Sequence, residues 1–288
     1  MRPCTICSST RARLLYRKDC AGYYLCPECQ VIFQYPPPPP DVMVSYANTE
    51  YEGGVYRKYV QAKEMKLEHF RRRLQRFLPH VPGGRLLDIG CSCGYFMEVA
   101  AASGFEVEGL EFSHAAIAAA NPAIRPHILC SSVDEFEGSR TYDLITAFDL
   151  IEHVPHPKDF LSKVRRLLAP GGCLAMATPD AGHILRFVMG SSWPMLQPMQ
   201  HLTIFSRRSM RLALEEAGFS EMIFESATKT ISYEYLTDQL RALTPTLHKG
   251  MRMAGRLLPA RIRRKYRQVN IGEFMVVARA AATQDAHA

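Results

Sequence analysis

From Gly84 onward the chain alternates short apolar runs with stretches in which apolar residues return every three or four positions. The short runs at 85–89, 106–110, 124–129, 142–147 and 172–177 predict strands, and later ones follow at 222–225 and 273–278. The helical pattern predicts helices after Gly94, after Ser113, over 157–168 and over 207–217. Alternation of this kind marks βαβ units, because a parallel neighbour is reached only through a crossover. The expected fold class is therefore α/β: a Rossmann-like, mostly parallel seven-stranded sheet flanked by helices.

Ahead of this region the pattern changes twice. Tyr59, Ala62, Met65, Leu67, Phe70, Leu74, Phe77 and Leu78 recur at helical spacing and predict an amphipathic helix over 56–78 that Pro79 ends. Upstream, Pro36 to Pro40 favour an extended polyproline spacer, and the Tyr- and Gly-rich stretch 46–59 reads as a segment draped over a neighbour. The chain divides accordingly into a small module at 1–35, a linker and amphipathic helix at 36–79, and the α/β domain at 80–288. Within the last part, 181–199 is too irregular for a core element, and 235–268 is expected to be a basic helical segment.

The leading module carries Cys4-x-x-Cys7 and Cys26-x-x-Cys29 with eighteen residues between the pairs. Two thiolate pairs at that spacing predict a closed, tetrahedral zinc ribbon with a structural Zn2+ on Cys4, Cys7, Cys26 and Cys29. Cys20, Cys130 and Cys173 fall outside the set. Nine cysteines, an odd number, argue for metal and buried thiols rather than a disulfide framework. Cys4 and Cys7 stand where an export signal would need an apolar stretch, so a reducing, cytoplasmic setting is expected. No apolar run approaches the roughly 20 residues of a bilayer-spanning helix.

The net charge of +7 is unevenly spread: 240–269 holds no Asp or Glu against Arg241, Lys249, Arg252, Arg256, Arg261, Arg263, Arg264, Lys265 and Arg267. A second basic stretch, 57–76, includes Arg71, Arg72 and Arg73. Such patches attract phosphate, so a phosphate-bearing partner and peripheral contact with an anionic membrane both come into view.

The strongest chemical signal is Leu86-Leu87-Asp88-Ile89-Gly90-Cys91-Ser92-Cys93-Gly94-Tyr95-Phe96, an apolar strand running into a glycine-bearing turn and a helix. Glycines there permit positive φ and a close approach of backbone to ligand. A dinucleotide site would want G-x-G-x-x-G, and Ser92 and Tyr95 occupy its second and third glycine positions. Glu111, seventeen residues after Gly94, ends the next predicted strand, where a carboxylate can accept from both ribose hydroxyls. Asp134 follows the strand after that, suited to an adenine amino group.

In this order, with Tyr142-Asp143-Leu144-Ile145 and Leu168-Ala169-Pro170-Gly171-Gly172 behind, the chain resembles the class I S-adenosylmethionine-dependent methyltransferases over roughly 85–225. The resemblance implies S-adenosylmethionine as cofactor, with Asp88, Gly90, Cys91, Ser92 and Gly94 around its methionine part, Glu111 at the ribose and Asp134 at the adenine. Phe112, Phe148 and Asp149 complete the implied cofactor-binding set. Ser92 departs from the glycine that many members carry.

Asp149-Leu150-Ile151-Glu152-His153-Val154 follows the fourth strand, at the carboxyl edge where open α/β sheets bind ligands. Methyl transfer is an in-line displacement at a sulfonium carbon, so the protein mainly orients the acceptor and removes its proton. His153 is the first candidate base; His201, ahead of a helix that Ser206 can cap, is the second, with Glu152 beside them. The stretch through His201 resembles a small-molecule branch that includes ubiquinone-biosynthesis O-methyltransferases and methyltransferases of sugar and polysaccharide pathways. That resemblance implies O-methylation of a sugar-nucleotide, glycan or quinone-like acceptor, with 181–199 as its cover. Asp149, Glu152, His153 and His201 also form an oxygen and nitrogen set suited to a divalent cation. Two rival readings stand beside this one. A zinc-containing RNA methyltransferase is disfavoured because no Asn/Asp-Pro-Pro-Tyr follows the fourth strand, which disfavours nucleic acid as partner; the other is a non-enzymatic zinc-ribbon adaptor with a vestigial core.

Overall fold

The computed structural model describes residues 3–19, 21–39, 42–43, 45–46, 49, 59–138, 140–237 and 245–281, so Cys20, Arg241 and most of the 46–59 stretch lie outside the described residues. In chain order the elements are β1 (Arg13–Lys18), β2 (Ala21–Leu25), β3 (Ile32–Tyr35), α1 (Lys63–Phe77), β4 (Arg85–Ile89), α2 (Tyr95–Ala102), β5 (Glu106–Glu111), α3 (His114–Ala118) and β6 (Ile128–Cys130). They continue with β7 (Tyr142–Phe148), α4 (Pro157–Leu167), β8 (Leu168–Pro179), α5 (Ile184–Met189), β9 (Thr203–Ile204), α6 (Arg207–Glu216), β10 (Phe219–Ile231), α7 (Pro245–Arg256), α8 (Ala260–Arg263) and β11 (Arg267–Ala280).

The main sheet runs β10-β11-β8-β7-β4-β5-β6. β4 pairs in parallel with β5 and β7, as do β5 with β6 and β7 with β8, while β11 is antiparallel to both β8 and β10. The chain leaves β4 first toward β5 and β6 and later returns to its other flank, so the carboxyl end of β4 is the switch point where such sheets open a ligand crevice. The fold is the expected Rossmann-like one.

Three differences from the sequence reading have local causes. The predicted strand at 124–129 keeps only Ile128–Cys130, because Pro126 cannot donate to a ladder and Arg125–His127 winds as a 3-10 turn. The last two strands are much longer than their apolar centres, and pair from Phe219 opposite Ala280 to Ile231 opposite Arg267 with α7 and α8 inserted between them. The segment 181–199 is anchored to the core at Ala181, Trp193 and Leu196, buried in one cluster with Ala21, Tyr23, Ile32 and Ile204, while Ile184, Phe187 and Val188 of α5 are exposed.

That cluster is where the leading module joins the rest. β9, from far along the chain, adds to β3 as a fourth strand, with Ile32 opposite Ile204 and Phe33 opposite Thr203. Gln34 N donates to Leu202 O, and the Ser206 hydroxyl, which caps α6, donates to Cys29 O. On one face of the main sheet, α4 and α6 bury Phe160, Leu161, Met210 and Leu214 in a core that runs on without a break into Ile6, Cys26, Cys29 and Phe33. On the other face α1 buries Leu67, Leu74 and Phe77 against Phe96 of α2, each large apolar side chain contributing about 1.5–3 kcal/mol.

Candidate active site

Asp88, at the end of β4, is buried and accepts a hydrogen bond from the Thr146 hydroxyl at 2.7 Å. Burial, reinforced by the nearby charge of Glu111, pushes its carboxyl up to about 7. The turn that follows has Gly90 at φ +72°, Ser92 at +53° and Gly94 at +71°. Both glycines hold the positive φ that side chains rarely adopt, and at Gly94 a Cβ would also stand 2.8 Å from the Ile124 side chain, so something there would have to shift. Ser92 adopts the left-handed region too, a conformation that glycine reaches at less cost.

Glu111, ending β5, is buried and fastens this turn: one carboxylate oxygen accepts from Ser92 N at 2.9 Å and the other from Ser113 N at 2.8 Å. Burial raises its pKa, against the pull of these amides. Each oxygen keeps a second lone pair. Phe112 is exposed next to it, and Asp134 is exposed on the loop after β6. Cys91 is a buried thiol whose pKa burial raises, so it packs as a neutral group. Asp88, Glu111 and the glycine cradle fit the amino-acid and ribose ends of S-adenosylmethionine.

Past β7, Phe148 packs edge-on against Phe96 with ring centroids 5.0 Å apart. Asp149 has φ +54° and pairs with Lys229 Nζ at 3.0 Å, which together with Arg73 keeps its carboxyl well below the usual range despite burial. Residues Ile151–His153 form a 3-10 turn that brings Glu152 and His153 to His201. One ligand atom from each of these three lies within 4.8 Å of the others. Asp149 is absent from this group, held instead by Lys229 and Arg73, so the expected four-donor cation set reduces to three.

The two rings meet edge to face with centroids 4.9 Å apart. His153 Nδ1 faces Gln200 O at 3.0 Å and His201 Nδ1 faces Met195 O at 2.8 Å. A carbonyl only accepts, so each Nδ1 carries the proton and each Nε2 keeps a lone pair. Burial lowers the pKa of both, His201 to about 3 with His153 adding to the effect, so both are neutral at pH 7. Glu152 accepts from the Thr178 hydroxyl at 2.9 Å, and its carboxyl is pushed up to about 8 by burial and by the charge of Asp149. Leu202 N donates to Glu152 O, which ties β9 to the same turn.

In the leading module, Cys4 Sγ is 3.5 Å from Cys29 Sγ, Cys7 Sγ is 3.5 Å from Cys26 Sγ, and all four lie within 4.8 Å. A tetrahedron with Zn–S near 2.3 Å has S–S edges of about 3.8 Å, so the set fits zinc. Ser8 and Gln30 turn at φ +59° and +64°, closing each knuckle with hydrogen bonds to Cys4 O and Cys26 O.

Sequence reading missed Thr146, Thr178, Lys229 and Glu273, and saw Arg73 only as part of a basic run. Arg73 had a signal: Lys66, His69 and Arg73 share one helix face with buried apolar residues. Two cavities of about 570 and 500 Å3, next to Glu221 and Arg140, open at the amino edge, away from all of these groups.

A glycine-bearing turn at the switch point of the sheet and a buried acidic residue closing β5 are the marks of a Rossmann-like methyltransferase fold. A family described as "Methyltransferase domain" matches residues 56–221, more than half of the chain, and the chain belongs to it as an S-adenosylmethionine-dependent methyltransferase. The ubiquinone biosynthesis O-methyltransferase of Burkholderia orbicola is 34% identical over 110 residues, 34% of this chain and 46% of that protein. The one of Nitrobacter winogradskyi is 35% identical over 111 residues, 37% and 42%. The match thus takes in less than half of either relative. Among solved structures, a SAM-dependent methyltransferase from Archaeoglobus fulgidus has TM-score 0.53 at 17% identity, covering 77% of this chain and 99% of its own. Another, from Thermotoga maritima, has TM-score 0.52 at 15% identity, covering 83% and 98%. Both agree with the fold. Among the described residues no helix is long and apolar enough to cross a membrane.

Proposed function

We propose that the protein transfers the methyl group of S-adenosylmethionine to an oxygen of a small acceptor, a sugar-nucleotide, glycan or quinone-like molecule. The observation that carries the reading is the paired histidines: two neutral imidazoles, each oriented by a backbone carbonyl, offer Nε2 lone pairs beside a buried carboxyl. His153, half-buried, takes the acceptor proton, while His201, with its pKa near 3, accepts a hydrogen bond and orients. Asp88 and the Gly90–Gly94 turn hold the methionine part, Glu111 the ribose and Asp134 the adenine; bound there, the cofactor supplies the electrophilic methyl. Zn2+ on Cys4, Cys7, Cys26 and Cys29 is structural, and residues 1–35 and 181–199 together wall the acceptor site. The names of the ubiquinone-pathway relatives support an oxygen acceptor.

The test is calorimetry with S-adenosylhomocysteine followed by a screen of nucleotide-sugars and quinols for methyl uptake. His153→Ala should keep cofactor affinity and lower turnover by about 10²–10⁴. No binding of S-adenosylhomocysteine, or full turnover in that variant, would overturn the reading, as would methyl incorporation into RNA alone. A second version of the step is favoured by the grouping of Glu152, His153 and His201: the three donors would hold a divalent cation that polarises the acceptor oxygen. Turnover lost on chelation and restored by Mg2+ or Mn2+ selects it.

A further inference from the structure

The helical insertion between β10 and β11 is used by none of these roles. α7 turns one row of residues inward: His248 Nδ1 donates to Thr237 O at 2.8 Å, Met251 O accepts from the Tyr233 hydroxyl, and a Cβ on Gly255 would stand 2.8 Å from the Tyr233 ring. The opposite row is exposed: Lys249, Arg252, Met253 and Arg256, with Leu257 just past the end, follow the i, i+3, i+4, i+7, i+8 spacing of one helix face. Met253 is 70% and Leu257 86% exposed, each next to an arginine. α5 repeats the arrangement in apolar form, with Ile184, Phe187 and Val188 at i, i+3 and i+4 and between 62% and 75% exposed.

Both patches rise from the carboxyl edge of the main sheet. β8 ends at Pro179, opposite Glu273 of β11, and leads into α5; β11 itself begins at Arg267, soon after α8. His183, which caps α5, sits against Gly272, where a Cβ would stand 3.0 Å from its ring. From Gly272 back to Arg267 the strand covers roughly 17 Å, so α5 and the insertion are close neighbours along this edge. The insertion is also charged with one sign. Arg263 and Arg264 each pair with Glu234 at 3.5 Å. Among the described residues Lys249, Arg252, Arg256, Arg261, Lys265 and Arg267 have no carboxylate partner, and all six are exposed.

A single exposed aliphatic side chain is ordinary, but two helical faces of them beside unpaired cations call for a partner with an apolar interior and an anionic rim. Nucleic acid supplies the charge without the interior, and neither α7 nor α8 carries an aromatic ring on which a base would stack. A second copy of the chain would bring cations of one sign together across a two-fold axis. An anionic bilayer meets both demands: Met253 and Leu257 enter below the headgroups while Arg252 and Arg256, beside them on the helix, stay at the phosphates. We propose that α7, α8 and α5 form a docking face for a lipid bilayer rich in anionic headgroups. Docked there, the protein turns the carboxyl edge of its sheet, and with it the candidate site, toward the membrane. This role needs no particular acceptor and stands apart from the reading of His153 and His201.

The test is sedimentation of the full chain with vesicles of phosphatidylglycerol and phosphatidylcholine in equal parts, and with vesicles of phosphatidylcholine alone. Binding to the mixed vesicles should exceed binding to the neutral ones by about tenfold or more and fall as salt rises, since each Lys or Arg at an anionic surface adds roughly fivefold. Arg252→Gln with Arg256→Gln should lower it by on the order of tenfold. Met253→Ser with Leu257→Ser should lower it by on the order of tenfold, and Phe187→Ser alone by about fivefold. All these side chains are exposed, so each variant should melt like the wild type. No sedimentation of the wild type with the mixed vesicles overturns the docking face. Full binding in either serine variant, with loss in the arginine pair, means charge adsorbing without insertion and overturns it too. Tighter binding to RNA than to the vesicles, abolished in the arginine pair, assigns the face to nucleic acid. A dimer in analytical ultracentrifugation that Met253→Ser with Leu257→Ser dissociates assigns it to a second copy. Both of these results overturn the proposal, and binding of S-adenosylhomocysteine tests the methyltransferase function separately.

Discussion

Asp88 can meet a cationic ammonium only as a carboxylate, and the protein makes that form costly. With its pKa pushed to about 7 by burial, the side chain is a mixture of acid and anion near neutrality. Binding of the methionine ammonium would pull the proton off. It follows by linkage that affinity for S-adenosylhomocysteine rises with pH up to about 7, approaching tenfold per unit well below that value, and then levels. Below pH 7 binding should release up to one proton, which calorimetry in buffers of different ionisation enthalpy reads directly. Asp88→Asn should weaken binding and flatten the profile; a flat profile in the wild type would show that Asp88 does not carry the ammonium. Thr146, whose hydroxyl pulls the other way, sets how far the pKa climbs.

At the scale of elements, α1 gives three consecutive arginines two different fates. Arg71 and Arg72 are half-exposed and pair with Glu68 one turn back, whereas Arg73 is turned under the helix into the site. Leu74, next along, is 2% exposed in the core shared with Phe77 and Phe96. Leu74→Ala is therefore expected to cost about 2–5 kcal/mol of stability in urea unfolding, and Arg72→Ala less than about 1 kcal/mol. Similar losses would mean that the helix is not seated as described. The periodicity of Met65, Leu67, Leu74 and Phe77 made this helix legible, but the same periodicity read as charge alone put Arg73 in a surface patch. The β4 turn was legible because its glycines answer a purely local demand for φ and space. Thr146, Thr178, Lys229 and Glu273 were not, since each gains its role only when strands distant in sequence lie side by side. The anchoring of 181–199 was not legible for a related reason: Trp193 has no periodic companions, and its core partners Tyr23 and Ile32 are far back in the chain.

The whole molecule is bound through the two-residue strand β9. On one side it pairs with β3 of the cysteine module; on the other, Leu202 just before it donates to Glu152 O, and His201 precedes that. Because Ile6, Cys26, Cys29 and Phe33 share a core with Phe160, Met210 and Leu214, loss of the Zn2+ proposed for the module would not stay local. Zinc at a four-thiolate site contributes on the order of 10–16 kcal/mol of apparent folding free energy, and each kcal/mol moves the melting temperature of a domain this size by about 2–4 °C. Trp193, the only tryptophan, is fully buried at the joint and reports on it by fluorescence, while far-UV circular dichroism follows the helices around the main sheet. The two signals should therefore melt in one coincident transition, and a zinc chelator should lower both together by well over about 10 °C. If instead Trp193 emission shifts red at low temperature while the dichroism transition stays where it was, the module is an appendage and the strand β9 does not couple metal to the acceptor site.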